Sequence, residues 1–268
     1  MPPRPFSAAP GTNWPAITKA SLHSLTTKTS SSTGEQRSVF TYVSETHVFR
    51  YGTSSKSPAD LTDRDVALEL HPVLDSAVYP PLTPDLPVCS TPVDGRWVEY
   101  PRLKDYDPAK DNGWIPKAFQ EQAEVLRLLY SYPHRNLVKF QGCLARRGCV
   151  VGLVLQKCEM TLEEKIGREE DVERKVVMRD LKTAVERLHM FGLAHNDVHP
   201  SNVMFDAFGN AVLVGFGWCK PFGEVIDRGG RFPEWYEGSE EVLTSDRSHD
   251  ENALMRIEEW WAQTTPTG

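Results

Sequence analysis

The sequence predicts an α+β fold: a small β-rich N-terminal part with one helix, then a mainly helical part that is short at its end. Alternation of apolar and polar residues, the mark of strands, is concentrated before residue 156. Apolar spacing of three to four residues marks one helix before residue 130 and a long one after residue 171. Gly, Pro and Asn punctuate the boundaries between them.

In chain order, residues 1–37 are rich in Ser, Thr, Pro and Gly and poor in aliphatics. They read as a disordered tail that cannot bury enough apolar surface to offset its ordering entropy. Residues 38–262 read as the folded domain, its small part spanning about 38–155 and its larger part about 159–262. Ser38 to Val43 and His47 to Tyr51 alternate as a hairpin would. A proline-rich connector, Pro80 to Pro87, leads to the tight-turn pair Asp94-Gly95 and a strand from Arg96 to Tyr100. Phe119, Ala123, Leu126 and Leu129 then share one face of a helix over Ile115 to Leu129. Asn136 to Cys158 reads as two apolar strands turned at Arg146-Arg147-Gly148. From Asp171, residues Val172, Val176, Leu181, Val185 and Leu188 mark a long amphipathic helix that stops at Gly192. A polar loop, Ala194 to Ser201, is followed by short strands at Asn202 to Phe205 and Ala211 to Val214, and a last helix covers Asn252 to Trp261. Trp260-Trp261 reads as a packing face of that helix, and the acidic run from Glu163 to Asp171 as a solvated surface.

The bulk composition sets limits. The 268 residues, 40% of them hydrophobic, suffice for one sizeable core, and a formal net charge of −7 gives no electrostatic footprint for nucleic acid or an anionic membrane surface. Five cysteines, an odd number with no Cys-x-x-Cys pair, read as reduced thiols. No apolar run reaches membrane-spanning length and prolines interrupt Met1 to Pro10, so the expected location is cytoplasmic or nuclear. His23, His47, His71 and His189 show no metal-ligand spacing.

The segment that carries chemistry is His195-Asn196-Asp197-Val198-His199-Pro200-Ser201-Asn202, set between the long helix and the short hairpin. These residue types also favour turns on their own account, but the segment resembles the catalytic loop of protein kinases, H-R-D-x-x-x-x-N. That resemblance implies that Asp197 accepts the substrate hydroxyl proton and that Asn202 holds a Mg²⁺ ion bridging the ATP phosphates. Further matches stand in the family's chain order. Pro133 to Val138 is similar to the His-x-Asn turn after the N-lobe helix, and Gly152 to Cys158 to the strand entering the hinge, with Leu155 as gatekeeper. Thr161-Leu162 opens the next helix, Phe216-Gly217 matches the end of Asp-Phe-Gly, and Asp250 matches the aspartate that supports the catalytic loop, as His195 does structurally. The resemblance spans about residues 94–262. It implies a protein kinase-like two-lobed fold, with nucleotide contacts at Leu155, Gln156, Lys157 and Cys158, and it is similar to divergent kinase-like proteins abundant in filamentous fungi.

The chain departs from the family where phosphates and metal are held. Gly215 stands at the metal-binding aspartate, Glu99 at the phosphate-gripping lysine and Gln122 at the glutamate that pairs with that lysine. Two alignments stay open: Lys104 lies a few residues beyond Glu99, and Glu121 or Glu124 could take the place of Gln122. No G-x-G-x-x-G loop precedes the strand. The expected function is therefore a kinase-like domain with weakened or lost catalysis, a pseudokinase acting as a binding or scaffold module for a protein partner. ATP and Mg²⁺ are implied by the family, but Glu99 and Gly215 set the local charge against both. The alternatives are an active Ser/Thr-type kinase, and a small-molecule phosphotransferase of the aminoglycoside or choline kinase type, whose H-x-D-x-H-x-x-N loop His199 fits.

Overall fold

The computed structural model describes residues 17–29, 34–90, 95–110, 112–226 and 244–264. Residues 1–16 and 30–33 of the expected tail and Asp94 of the expected turn lie outside them. The chain divides into two compact units.

The first unit holds the described residues up to Asp75, together with the turn Leu103–Asp105. Its sheet runs β1 (Ser24–Thr29), β2 (Gln36–Val43), β3 (Phe49–Ser54) and β4 (His71–Pro72), paired in that order and antiparallel throughout. Helix α1 (Asp63–Glu69) starts at a capping box in which Thr62 and Asp65 satisfy each other's backbone N–H. It lays Val66 and Leu70 against Phe40 and Leu61. β1 falls inside the segment read as a tail: Ser24 to Thr29 pair residue for residue with Thr41 to Gln36, and Leu25 packs at the edge of the Phe40 cluster. A polar strand of this kind is held by backbone pairing with a neighbour already anchored, a cause that composition does not show.

In the second unit β5 (Trp97–Glu99), β6 (Phe140–Arg146) and β7 (Cys149–Leu155) form a three-stranded antiparallel sheet in the order β5-β7-β6. Helix α2 (Trp114–Ser131) buries Ile115, Phe119, Ala123, Leu126 and Leu129, the face its spacing predicts, and takes Pro116 in the first turn where no helical N–H is lost. Then follow α3 (Leu162–Gly167), capped by Thr161 and Glu164, α4 (Arg174–Met190), β8 (Leu193–Ala194), the hairpin β9 (Val203–Phe205) and β10 (Ala211–Leu213), β11 (Lys220–Pro221) paired with β8, and α5 (Arg247–Thr264). Strands thus dominate the N-terminal region and helices the C-terminal region, as a kinase-like two-lobed α+β fold requires. The expected small lobe, residues 38–155, draws on both units, because β2 and β3 belong to the first while β5 to β7 belong to the second.

One apolar core runs through the second unit, from Phe119 and Leu126 of α2 and Leu153 of β7 to Leu181 and Leu188 of α4 and Ile257 and Trp261 of α5. Each such buried side chain contributes about 1.5–3 kcal/mol relative to exposure. Asn136, buried after α2, donates its side-chain amide to the Ala211 carbonyl at 2.8 Å, while Leu213 donates to the Asn136 carbonyl at 2.9 Å. The turn after α2 is thereby fixed to β10, whose next residue, Val214, bonds to His195 and Asn202.

Candidate functional site

The loop from His195 to Asn202 is held from beneath by α5. Asp250, fully buried, accepts the backbone N–H of Asn196 on Oδ1 at 2.8 Å and that of His195 on Oδ2 at 2.8 Å, and Oδ2 also lies 3.0 Å from His189 Nε2. His195 is buried too. Its Nε2 stands 3.0 Å from the Val214 carbonyl, which can only accept, so Nε2 carries the proton. Burial pushes its pKa below the usual histidine value against the opposing pull of Asp250 and Asp197, which keeps the ring neutral and leaves Nδ1 bare. The ring meets Phe216 edge-on at 5.0 Å. Asn196 adopts φ 61° and spends its side chain on the Ala194 and Trp218 carbonyls, Ser245 and His249. Asparagine tolerates this left-handed backbone better than most residues.

Above the loop lies a cleft of about 190 Å³. Four sequence-predicted residues meet in its lining: Glu99 from β5, Gln122 from α2, Asp197 and Gly215. Asp197 accepts the Asn202 side-chain amide on Oδ2 at 2.9 Å, and its Oδ1 lies 3.6 Å from His199 Nε2. Gly215 has φ +80°, and a Cβ built there would fall 2.4 Å from Asn202 Oδ1. The Asn202 amide therefore fills the space that a side chain at 215 would need.

The residues offer a nucleotide-bound Mg²⁺ fewer oxygen ligands than the family's pattern does, since Gly215 stands where a carboxylate is expected. That ion demands near-octahedral oxygen coordination. Among the described residues no group of three or more His, Cys, Asp or Glu side chains is placed to hold a metal. Asn202 donates its nitrogen to Asp197, which leaves its Oδ1 beside position 215 as the oxygen it could offer a metal, while Gly215 supplies no carboxylate.

Glu121 is ion-paired with the buried Lys220 of β11 at 3.1 Å, and Glu124 accepts from Gln120; of these three neighbouring residues of α2 it is Gln122 that lines the cleft. Lys104 lies beyond β5 on the separate turn Leu103–Asp105. Leu155, Gln156, Lys157 and Cys158 are absent from the lining. Leu155 is buried at the end of β7, the Gln156 N–H donates to the Lys139 carbonyl at 2.9 Å, and burial lifts the Cys158 thiol to about 11. Sequence reasoning missed the aromatic walls, Tyr100, Trp114 and Trp218. Trp114 and Trp218 were within reach: the first lies one turn before Ala118 on α2, and the second directly follows Phe216-Gly217.

No family model matches the chain. It is 29% identical over 152 residues to the serine/threonine-protein kinase RUNKEL of Arabidopsis thaliana, an alignment that covers 51% of this chain and 10% of that protein. It is 34% identical over 104 residues to the 2-5A-dependent ribonuclease of Mus musculus, covering 34% of this chain and 14% of that protein. With human ribosomal protein S6 kinase alpha-6 it shares 27% over 100 residues, 37% of this chain and 12% of the relative. The chain thus spans between 10% and 14% of the length of these relatives. These distant similarities, with the α+β architecture, support a protein kinase-like domain, and the kinases among them imply ATP and Mg²⁺ use in that family. Among the described residues no helix is long and apolar enough to cross a membrane.

Proposed function

We propose that the chain is a pseudokinase: a protein kinase-like domain that has lost most or all phosphoryl transfer and serves as a binding or scaffold module for a protein partner. The observation that carries this reading is the closed set Asp197, Asn202 and Gly215. Gly215 supplies no carboxylate to a metal, and the Asn202 amide, its nitrogen held by Asp197 at 2.9 Å, fills the space that a side chain at 215 would need. Phosphoryl transfer rests on positioning and charge stabilisation, and loss of one such donor typically costs about 10²–10³ in rate, or roughly 3–4 kcal/mol. Glu99 and Gly215 remove two of them, with effects that need not add.

The test is thermal denaturation with millimolar ATP, with and without Mg²⁺. A ligand at 100 times its Kd adds about 2.7 kcal/mol, which for a domain of this size raises Tm by at least about 5 °C. The reading expects no Mg²⁺-dependent rise, and a rise of that size overturns it. One observation favours a second reading, an active divergent kinase: Asp197 lines the cleft with Asn202 five residues on. In that case Asp197→Asn abolishes a measurable transfer of phosphate to a protein hydroxyl while the fold is retained.

A further inference from the structure

Resting on the reading of the chain as a binding module, we propose that the surface where the turn after α2 meets α4 docks an acidic, extended segment of a partner protein, one that carries several carboxylates beside an apolar side chain. Arg135 of that turn and Arg179 of α4 lie 3.8 Å and 3.1 Å from the same oxygen of Asp180, so one buried carboxylate answers two guanidiniums. Both arginine side chains stay open to solvent, 62% and 63% exposed. Arg187, two turns along α4 from Arg179, rests its guanidinium 4.7 Å from the centre of the Phe191 ring, and its Nε is buried with no acceptor. Asp206 does not redress the balance: Asn210, which accepts from Arg135 at 3.2 Å, donates its own amide to that carboxylate, and the Phe208 N–H donates to it as well. Positive charge therefore exceeds negative here, on a chain whose formal net charge is −7. His134 responds to the excess: burial first, and then Arg187 and Arg135, push its pKa below the ordinary value against the pull of Asp180. A surface of this sign selects a partner of opposite charge.

Length and border set the kind of partner. Arg179 and Arg187 are separated by about 12 Å of helix rise. Lys175 and Lys182, both exposed and one turn to either side of Arg179, lengthen the positive face until the exposed Glu186 ends it. One phosphate group cannot span that length, whereas an extended chain covers it with about four residues. The border is apolar: the exposed Tyr132 sets its ring 5.4 Å from that of Phe191, and Met190 beside it is exposed too. Tyrosine and arginine are enriched among the side chains that carry interface binding energy, and here they adjoin.

The experiment is fluorescence anisotropy of the whole chain with three labelled peptides: four glutamates and a tryptophan, the same peptide with glutamine for every glutamate, and the glutamine form carrying one phosphoserine. The acidic peptide should bind, and the glutamine form should bind at least about tenfold more weakly, since it forgoes several exposed ion pairs at once. Arg135→Ala and Arg179→Ala should each weaken the acidic peptide about two- to fivefold, the loss of one such pair. Both side chains are exposed and each change leaves the other arginine on Asp180, so the fold is kept. Lys117→Ala, which removes an exposed cation of α2, should leave binding unchanged. The proposal is overturned if the acidic peptide does not bind, if the glutamine form binds equally, if Lys117→Ala weakens binding as much as Arg179→Ala, or if the phosphoserine peptide binds more tightly than the acidic one. Thermal denaturation with ATP and Mg²⁺, run alongside, separates the two readings. Absence of both peptide binding and a Mg²⁺-dependent rise removes the docking surface alone, whereas such a rise in a chain that binds the acidic peptide removes the pseudokinase reading alone.

Discussion

Asp250→Ala offers the sharpest test of how the loop is held. The carboxylate is fully buried and accepts two backbone N–H groups at 2.8 Å, from His195 and Asn196. Removing it leaves both donors without their acceptor in a buried site. A buried unsatisfied donor costs about 1–3 kcal/mol, so the pair costs about 2–6 kcal/mol. At roughly 2–4 °C per kcal/mol for a domain of this size, Tm should fall by at least about 4 °C. Far-ultraviolet circular dichroism reads the midpoint, and amide exchange at Asn196 reads the loop. Asp250→Asn retains one acceptor oxygen and should lose less than the alanine variant. An alanine variant that melts within about 1 °C of the parent, or an asparagine variant that is equally damaged, would show that these hydrogen bonds do not hold the loop.

Three further outcomes are expected. Burial depresses the pKa of His195, and likewise of His249 and His134, so the unfolded chain takes up protons that the folded chain refuses. The stability these histidines contribute is present above about pH 6.5 and falls below it, by up to roughly 1.4 kcal/mol per pH unit for the buried His195 and by less for the solvent-screened His249 and His134; melting from pH 7.5 to 5.5 checks this, and a flat profile refutes it. Deleting residues 1–29 removes β1, exposes the edge of β2 and should lower the stability of the first unit, in contrast to the removable tail that composition suggests, with limited proteolysis as the assay. Gly215→Asp should destabilise by about 1 kcal/mol or more through its left-handed φ and should not by itself create Mg²⁺-dependent ATP binding, because its Cβ meets Asn202 at 2.4 Å; a clear Mg²⁺-dependent thermal shift would count against that.

Most elements of the second unit were legible because their periodicity is strong. The face Phe119, Ala123, Leu126 and Leu129 foretold α2, and Val185 and Leu188 foretold α4. What was hidden had weak local signal. α1 is seven residues long, β4, β8 and β11 are two each, and β1 is polar, so tertiary pairing rather than pattern decides them. In the site, the spacing of Asp197, Asn202 and Gly215 was readable, whereas the choice between Gln122 and Glu121 was not. Adjacent helical positions point about 100° apart, and only Lys220, distant in sequence, shows which of the two turns away from the cleft.

The scaffold of the loop and its chemistry are carried by different atoms. Beneath, Asp250 grips backbone N–H groups, and His195 grips the Val214 carbonyl, contacts indifferent to the side chain at 215. Asn196, at the place where the related pattern H-R-D has arginine, is fully engaged with Ala194, Trp218, Ser245 and His249 and so serves as a latch. Above, Gly215 occupies a left-handed conformation that glycine adopts without strain and that an aspartate would resist by about 1 kcal/mol. Glycine at this site therefore sits with less backbone strain than aspartate would and supplies no carboxylate. A chain built this way can lose phosphoryl transfer while every contact that shapes the loop survives, and a role that depends on shape and surface charge then remains open to it.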